Sequence, residues 1–155
     1  MDRKTKIHSE PGRQDLLITR EFDIPLELLF TAYTEAEIVA QWMGTKVIKL
    51  ESKKHGSWQF ETSDGEGNIV FRANGVIHEI VPNQKITRTF EMENTPFPAQ
   101  LEFLEFEAID ESRSKLNMQI VYRSVALRDQ LLKLPFAYGL NMAHDKLEAI
   151  FNKTK

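Results

Sequence analysis

Residues 100–123, QLEFLEFEAIDESRSKLNMQIVYR, contain two runs of alternating side chains separated by Asp110-Glu111-Ser112. Alternation with a period of two residues is typical of strands that bury one face, and a short polar separator favours a hairpin. The inner face carries Leu104, Phe106, Ala108, Leu116, Met118, Ile120 and Tyr122, and the outer face carries Glu105, Glu107, Lys115, Asn117 and Gln119. The stretch therefore predicts two antiparallel strands, 100–110 and 113–123, with one buried face.

The same period extends toward the N-terminus. A first strand is predicted at 14–23, and four more follow Gly44, at 46–53, 57–63, 68–81 and 84–93. The segments between these later strands are short and rich in residues that tolerate turn geometry, such as the Asp64-Gly65 pair. Short connections of this kind favour an antiparallel sheet of about seven strands.

Apolar residues at helical spacing occur between the first and second predicted strands and again after the last one. Pro25 suits the first position of a helix, and the apolar stripe that begins at Leu26 predicts a helix over 25–33. Thr34-x-x-Glu37 is a capping-box pattern and predicts a second helix over 35–43. A turn containing Leu127–Leu132 precedes a long amphipathic helix over 135–152. This order predicts an α+β fold in which the C-terminal helix packs on a curved sheet.

Length and composition indicate a single domain with its own core. Of 155 residues, 41% are apolar, and 20 Lys and Arg against 23 Asp and Glu give a net charge of −3. The chain lacks the basic field of a nucleic-acid binder, and with no Cys it has neither disulfides nor thiolate nucleophiles. Residues 1–13 are interpreted as a loose leader before a single domain at 14–152. They lack an apolar segment, and no run is long enough for a membrane span, so a cytoplasmic protein is expected.

Motifs of known catalytic sites are missing from the chain. It contains no HExxH, P-loop, GxGxxG or GxSxG pattern, and its four His have no metal-ligand spacing. Neither a metal nor another cofactor is predicted, and no catalytic residue is assigned. The acidic stretch Glu102–Glu111 is interpreted as exposed surface.

Four segments in order resemble the signature segments of one protein family. They are Trp42-Met43-Gly44, HGSWQF at 55–60, GVIHEIVP at 75–82 and YGLNMAHDKL at 138–147. Over about residues 14–152 the chain resembles SRPBCC proteins of the Hsp90-ATPase-activator-homologue (AHSA1-like) branch. The resemblance implies a helix-grip, Bet v 1/START-like fold with a cavity between sheet and C-terminal helix. His55 replaces a common second Gly of the family, and His144 replaces a larger apolar or aromatic residue.

The resemblance implies no single activity, because the family includes ligand carriers, sequestering resistance proteins, cyclases and co-chaperone domains. The chain's own residues support a cavity, since it carries 10 Phe, 2 Trp and 3 Tyr. The candidate lining residues are Trp42, Trp58, Phe60, Phe71, Phe90, Phe106, Tyr122, Phe136, Leu140 and His144. For any one of these, ordinary core packing is the alternative.

Three polar residues are candidates for orienting a ligand: His144, His78 and Arg20. His144 lies on the apolar stripe of the last helix, where it is either a satisfied core histidine or a proton donor or acceptor in the cavity. His78 lies on a strand and is alternatively a half-buried, hydrogen-bonded residue. Arg20 interrupts an inward-looking strand face, so it either pairs with an internal carboxylate or ligand anion, or extends to the sheet edge.

Three functional hypotheses follow. The first is noncatalytic binding of a small hydrophobic or aromatic molecule between the sheet and the last helix. The second is a co-chaperone-like module that acts on an Hsp90-type ATPase, and the third is a cyclase or hydrolase that uses a cavity histidine. Polar outer strand faces favour the internal site. A homodimer through an edge strand is possible.

Overall fold

Eight antiparallel strands and four helices make up the structure, a computed structural model that describes residues 4–152. The strands are β1 Lys6–His8, β2 Asp15–Phe22, β3 Lys46–Leu50, β4 Ser57–Ser63, β5 Ile69–Val81, β6 Lys85–Met92, β7 Gln100–Ala108 and β8 Ser114–Val121. The helices are α1 Leu26–Thr34, α2 Ala36–Met43, α3 Val125–Leu132 and α4 Phe136–Asn152. The strand order is β1-β2-β8-β7-β6-β5-β4-β3. The predicted α+β helix-grip fold is confirmed.

Two elements extend the predicted arrangement. β1 lies in the segment expected to be loose, where Ile7 pairs with Ile18 of β2. Ile7 also packs against the core, but a strand of three residues is too short to show a period in the sequence. α3 forms where only a turn was predicted, and the Ser124 hydroxyl oxygen accepts a hydrogen bond from the Leu127 amide at its N-terminus.

The predicted start signals of α1 and α2 were wrong in detail. Pro25 is the N-cap of α1 with extended backbone and not its first helical residue. Thr34 is the last residue of α1, and its hydroxyl donates to the Phe30 carbonyl four residues back. The hydroxyl therefore forms no capping box, and α2 begins after Glu35 without a side-chain cap.

The core lies between the inner face of the sheet and the helices. Leu16, Leu104 and Leu116 of the sheet are fully buried, as is Leu147 in the second half of α4. α2 packs on α4, and α1 packs on β7. Among residues 4–152, no helix combines the length and the apolar character needed to cross a membrane. Because Leu147 is buried, the second half of α4 is fixed to the sheet. The first half of α4 faces a cavity.

The turn before β4 explains one departure from the family pattern. His55 has φ of 66°, a left-handed conformation that glycine adopts most easily. Its amide donates to the Ile77 carbonyl at 2.7 Å, which fixes the turn against β5. The chain accommodates His in a conformation that favours Gly, because the side chain is exposed and meets no obstacle.

At Gly75, the backbone of β5 lies close to the side chain of Trp58. A Cβ atom at this position would overlap the Thr89 carbonyl oxygen and the indole ring of Trp58. Trp58 is 2% exposed, so its ring has no room to move outward. The absence of a side chain at Gly75 is therefore what allows Trp58 to lie flat under the sheet.

We expect Gly75→Ala to lower the free energy of unfolding by about 1–3 kcal/mol, because the strands must separate to admit the methyl group. Gly65→Ala is the matched control, since a Cβ there meets nothing within 4 Å. The control should stay within about 0.5 kcal/mol of the wild type. Urea denaturation measures both, and equal stabilities for the two variants would contradict this packing account.

Candidate functional site

A cavity of about 360 Å³ lies between the sheet and the first half of α4. The cavity opens to solvent. Its apolar lining residues are Ile18, Trp42, Met43, Phe90, Met92, Met118, Ile120, Leu131, Pro135, Phe136, Gly139, Leu140 and Ala143, and its polar ones are Tyr33, Arg88, Gln100, Glu102 and His144. A mostly apolar cavity with a few polar groups has the composition of small-molecule sites, and its volume falls within their usual range.

A buried ion pair forms one polar patch of the cavity. Arg88 of β6 and Glu102 of β7 are direct register partners, and the Arg88 Nε donates to Glu102 Oε1 at 2.8 Å. Gln100 donates from its Nε2 to the other carboxylate oxygen, also at 2.8 Å. Glu102 is 3% exposed, so the interpretation of the whole stretch Glu102–Glu111 as surface was wrong at this residue. The pairing neutralises a charge that burial would otherwise penalise.

His144 forms a second polar patch, with hydrogen-bonding groups on both sides of its ring. The Thr5 hydroxyl lies 2.8 Å from Nδ1, and the Tyr33 hydroxyl lies 3.5 Å from Nε2. Thr5 Oγ1 already accepts a hydrogen bond from Arg20, so its own proton is free to be donated to His144 Nδ1. This assigns the ring proton to Nε2, which faces Tyr33.

Burial decides the protonation state of His144. Loss of solvation lowers the pKa of His144 to about 3, and the nearby positive charge of Arg20 contributes in the same direction. Burial likewise raises the pKa of the Tyr33 hydroxyl above its usual value. Both groups are therefore neutral at physiological pH and take part as hydrogen-bonding groups.

Arg20 lies behind His144 and outside the cavity lining. Its side chain is fully buried, and its guanidinium bonds Glu148 at 3.1 Å and Asp145 at 2.9 Å, both on α4. Of the alternatives open for this residue, the structure shows pairing with an internal carboxylate, Glu148, and also with the half-exposed Asp145. The two ion pairs link β2 to the second half of α4.

The structure brings five of the sequence-predicted candidates together in the cavity. They are Trp42, Phe90, Phe136, Leu140 and His144. Trp42 is held in place because its indole N–H donates to the Ala32 carbonyl at 2.7 Å. Four of the five are contributed by α2 and α4, so the helices supply most of the predicted aromatic lining.

Other predicted aromatic candidates lie in the core around the cavity. Trp58 packs on Phe60 and Phe90, with ring centroids 4.6 and 5.3 Å away, and it supports Phe90 from behind. Phe106 packs edge to face on Phe30 at 5.1 Å, beneath α1. For Trp58, Phe60 and Phe106, the structure shows the core-packing alternative.

Three more candidates lie outside the lining. His78 is exposed because the register of β5 against β6 shifts between Ile77 and Glu79, so that His78 is the extra residue of a bulge. It is not the half-buried residue that the sequence suggested. Phe71 is partly buried in β5, and Tyr122 is buried at 5% exposure just after β8.

The charged residues of the cavity were not predicted from the sequence, although they lie at alternating positions with buried residues of their strands. Arg88 alternates with Ile86 and Phe90, and Glu102 alternates with Leu104 and Phe106. A charge in phase with a buried face on each of two neighbouring strands is the signal for a buried pair. Among residues 4–152, no three His, Asp or Glu side chains lie close enough together to hold a metal ion.

The lowered pKa of His144 predicts a pH dependence of stability. Between about pH 6.5 and pH 3 the unfolded chain binds a proton at this residue and the folded chain does not. The contribution of neutral His144 to the free energy of unfolding is therefore complete above about pH 6.5 and is lost as the pH falls. We expect His144→Gln to have a shallower fall in unfolding free energy between pH 6 and pH 4, by up to about 1.4 kcal/mol per pH unit.

Urea denaturation at several pH values measures this difference. His78→Gln, at an exposed histidine, is the control and should keep the wild-type slope. Identical slopes for His144→Gln and the wild type would contradict the assignment of a buried neutral imidazole.

Solved structures from several bacteria are similar to this chain. A protein from Rhodobacter sphaeroides has a TM-score of 0.84 at 19% identity, over 96% of this chain and 99% of that one. A protein from Mycobacterium smegmatis has a TM-score of 0.82 at 16% identity, over 94% and 95% of the two chains. A solution structure from Arthrobacter aurescens has a TM-score of 0.82 at 12% identity, over 96% and 91%. At these identities the likeness shows a shared fold.

The family comparison covers most of the chain. No curated protein matches it. Residues 23–152, which include α1, α2, the sheet from β3 to β8 and α4, match the family described as Activator of Hsp90 ATPase homolog 1-like protein. The chain therefore belongs to this AHSA1-like family and has its SRPBCC, Bet v 1-like fold.

Proposed function

We propose that this protein binds a small hydrophobic or aromatic molecule in the cavity between the sheet and α4, without converting it. The proposal rests on the apolar residues that line this cavity. Apolar side chains from β2, β6, β8, α2, α3 and α4 converge on one space of about 360 Å³. Core side chains normally fill such a space, so an open apolar volume of this size favours a guest molecule.

The state of His144 supports binding over catalysis. A general base works best when its pKa lies near the working pH, and burial lowers the pKa of His144 to about 3. Its Nδ1 is already occupied by Thr5, and its Nε2 faces the Tyr33 hydroxyl. Both nitrogens are thus engaged within the protein, which favours a role in holding the cavity wall and, through Tyr33, in orienting a ligand.

An interaction with an Hsp90-type ATPase is the second candidate, and the family description supports it. The outer side of α4 exposes Tyr138 and Met142, each more than half accessible, and Leu134 in the bend before α4 is half exposed. Stimulation of the ATPase rate by the wild type, lost in Tyr138→Lys, would support this candidate. An unchanged ATPase rate would exclude it.

Filling the cavity tests the binding proposal. We expect Ala143→Phe to weaken binding of the fluorescent hydrophobic probe N-phenyl-1-naphthylamine at least about tenfold, because Ala143 lines the cavity and a benzyl group there occupies the probe's volume. Fluorescence titration gives the dissociation constants.

Ala149→Phe is the matched control, with the same substitution on the exposed part of the same helix. It should bind the probe as the wild type does. Thermal unfolding of both variants verifies that they are folded. Equal probe affinity in Ala143→Phe and the wild type would place the probe elsewhere and contradict the proposal.

A further inference from the structure

The cavity contains hydrogen-bond donors that the protein itself does not use. Arg88 uses its Nε for Glu102, and its Nη1 and Nη2 groups have no hydrogen-bond partner among residues 4–152. The side chain is only 12% exposed, its guanidinium carbon lies 5.6 Å from the Trp58 ring centre, and the residue lines the cavity. Because Arg88 lines the cavity, these N–H groups can donate hydrogen bonds to a guest molecule.

Both carboxylate oxygens of Glu102 face donors of the protein itself. One oxygen of Glu102 accepts from Arg88 and the other accepts from Gln100, each at 2.8 Å. On the opposite wall the Tyr33 hydroxyl, 3.5 Å from His144 Nε2, can donate its proton to a guest. The Arg88 Nη groups and the Tyr33 hydroxyl are therefore donors available in the cavity, and they suit a guest with an acceptor oxygen.

The charge balance of the patch separates neutral guests from anions. The charges of Arg88 and Glu102 cancel, since Arg88 Nε lies 2.8 Å from Glu102 Oε1. The neighbouring cation Arg20 is paired with Glu148 and Asp145 and has no excess charge to offer. An anionic guest would leave one net negative charge in a buried site, which is costly, whereas a neutral acceptor satisfies the donors at no such cost.

We propose that the guest is an uncharged, mostly apolar molecule with a carbonyl or comparable acceptor oxygen, which accepts hydrogen bonds from the free guanidinium N–H groups of Arg88. Glu102 acts as a positioning residue because it accepts from the guanidinium Nε, and Gln100 in turn donates to Glu102. This inference rests on the proposed binding function and specifies its ligand class.

Three naphthalenes that differ in one substituent test the proposal: 2-ethylnaphthalene, 2-acetylnaphthalene and 2-naphthoate. Their affinities are measured by displacement of N-phenyl-1-naphthylamine from the wild type and from the double variant Arg88→Met/Glu102→Leu. The double variant removes both charges at once, so it leaves no unpaired ion in the core. The informative quantity is the ratio of ketone to hydrocarbon affinity, because the ratio cancels general changes in the cavity.

We expect this ratio to fall about tenfold in the double variant, the effect of losing a hydrogen bond to a charged donor. Arg72→Met/Glu61→Leu is the matched control, since it removes an ion pair of 2.9 Å that does not line the cavity. This control should keep the wild-type ratio. In the wild type the ketone should also bind more tightly than the naphthoate.

An unchanged ratio in Arg88→Met/Glu102→Leu, or naphthoate binding tighter than the ketone, would overturn the inference about ligand class and leave the binding function intact. If the wild type bound neither the fluorescent probe nor any of the three compounds, the proposed function itself would fail. Circular dichroism of each double variant verifies that the comparison is made between folded proteins.

Discussion

The pairing of Arg88 with Glu102 is the constraint on which the cavity depends. Both residues point to the inner face of the sheet, where an unpaired charge would cost several kcal/mol. Because neighbouring strands place them as direct register partners, the sheet satisfies the pair by itself at 2.8 Å. The inner face can therefore be polar at this point without any cover from α4.

The anchoring of α4 complements this arrangement. Arg20 of β2 bonds Glu148 and Asp145, and Leu147 is fully buried, so the second half of the helix is fixed to the sheet. The first half carries the small residues Gly139 and Ala143 toward the sheet, and these fill little volume. The helix is fixed at its second half, and Gly139 and Ala143 leave space between Phe136, Leu140 and the sheet that we assign to a ligand.

Most of the fold could be predicted from the sequence, because strand and helix periods are strong where one face is buried. All seven predicted strands and the helix over 135–152 are present, with bounds shifted by a few residues. Thr34 shows the limit of local motifs, since its hydroxyl bonds the Phe30 carbonyl and caps nothing. β1 is too short to show a period, and its pairing with β2 and the packing of Ile7 on the core are tertiary contacts that local sequence does not show.

The candidate site was only partly predictable, because the sequence assigns side chains to faces but does not give the gap between layers. Trp58 and Phe90 share the same inner surface, yet only Phe90 lines the cavity. Methyl-¹³C NMR of the methionines during titration with N-phenyl-1-naphthylamine tests the location most directly. Met43, Met92 and Met118 line the cavity and Met142 lies outside it. The account predicts shifts at the first three with Met142 unchanged, and shifts at Met142 alone would contradict it.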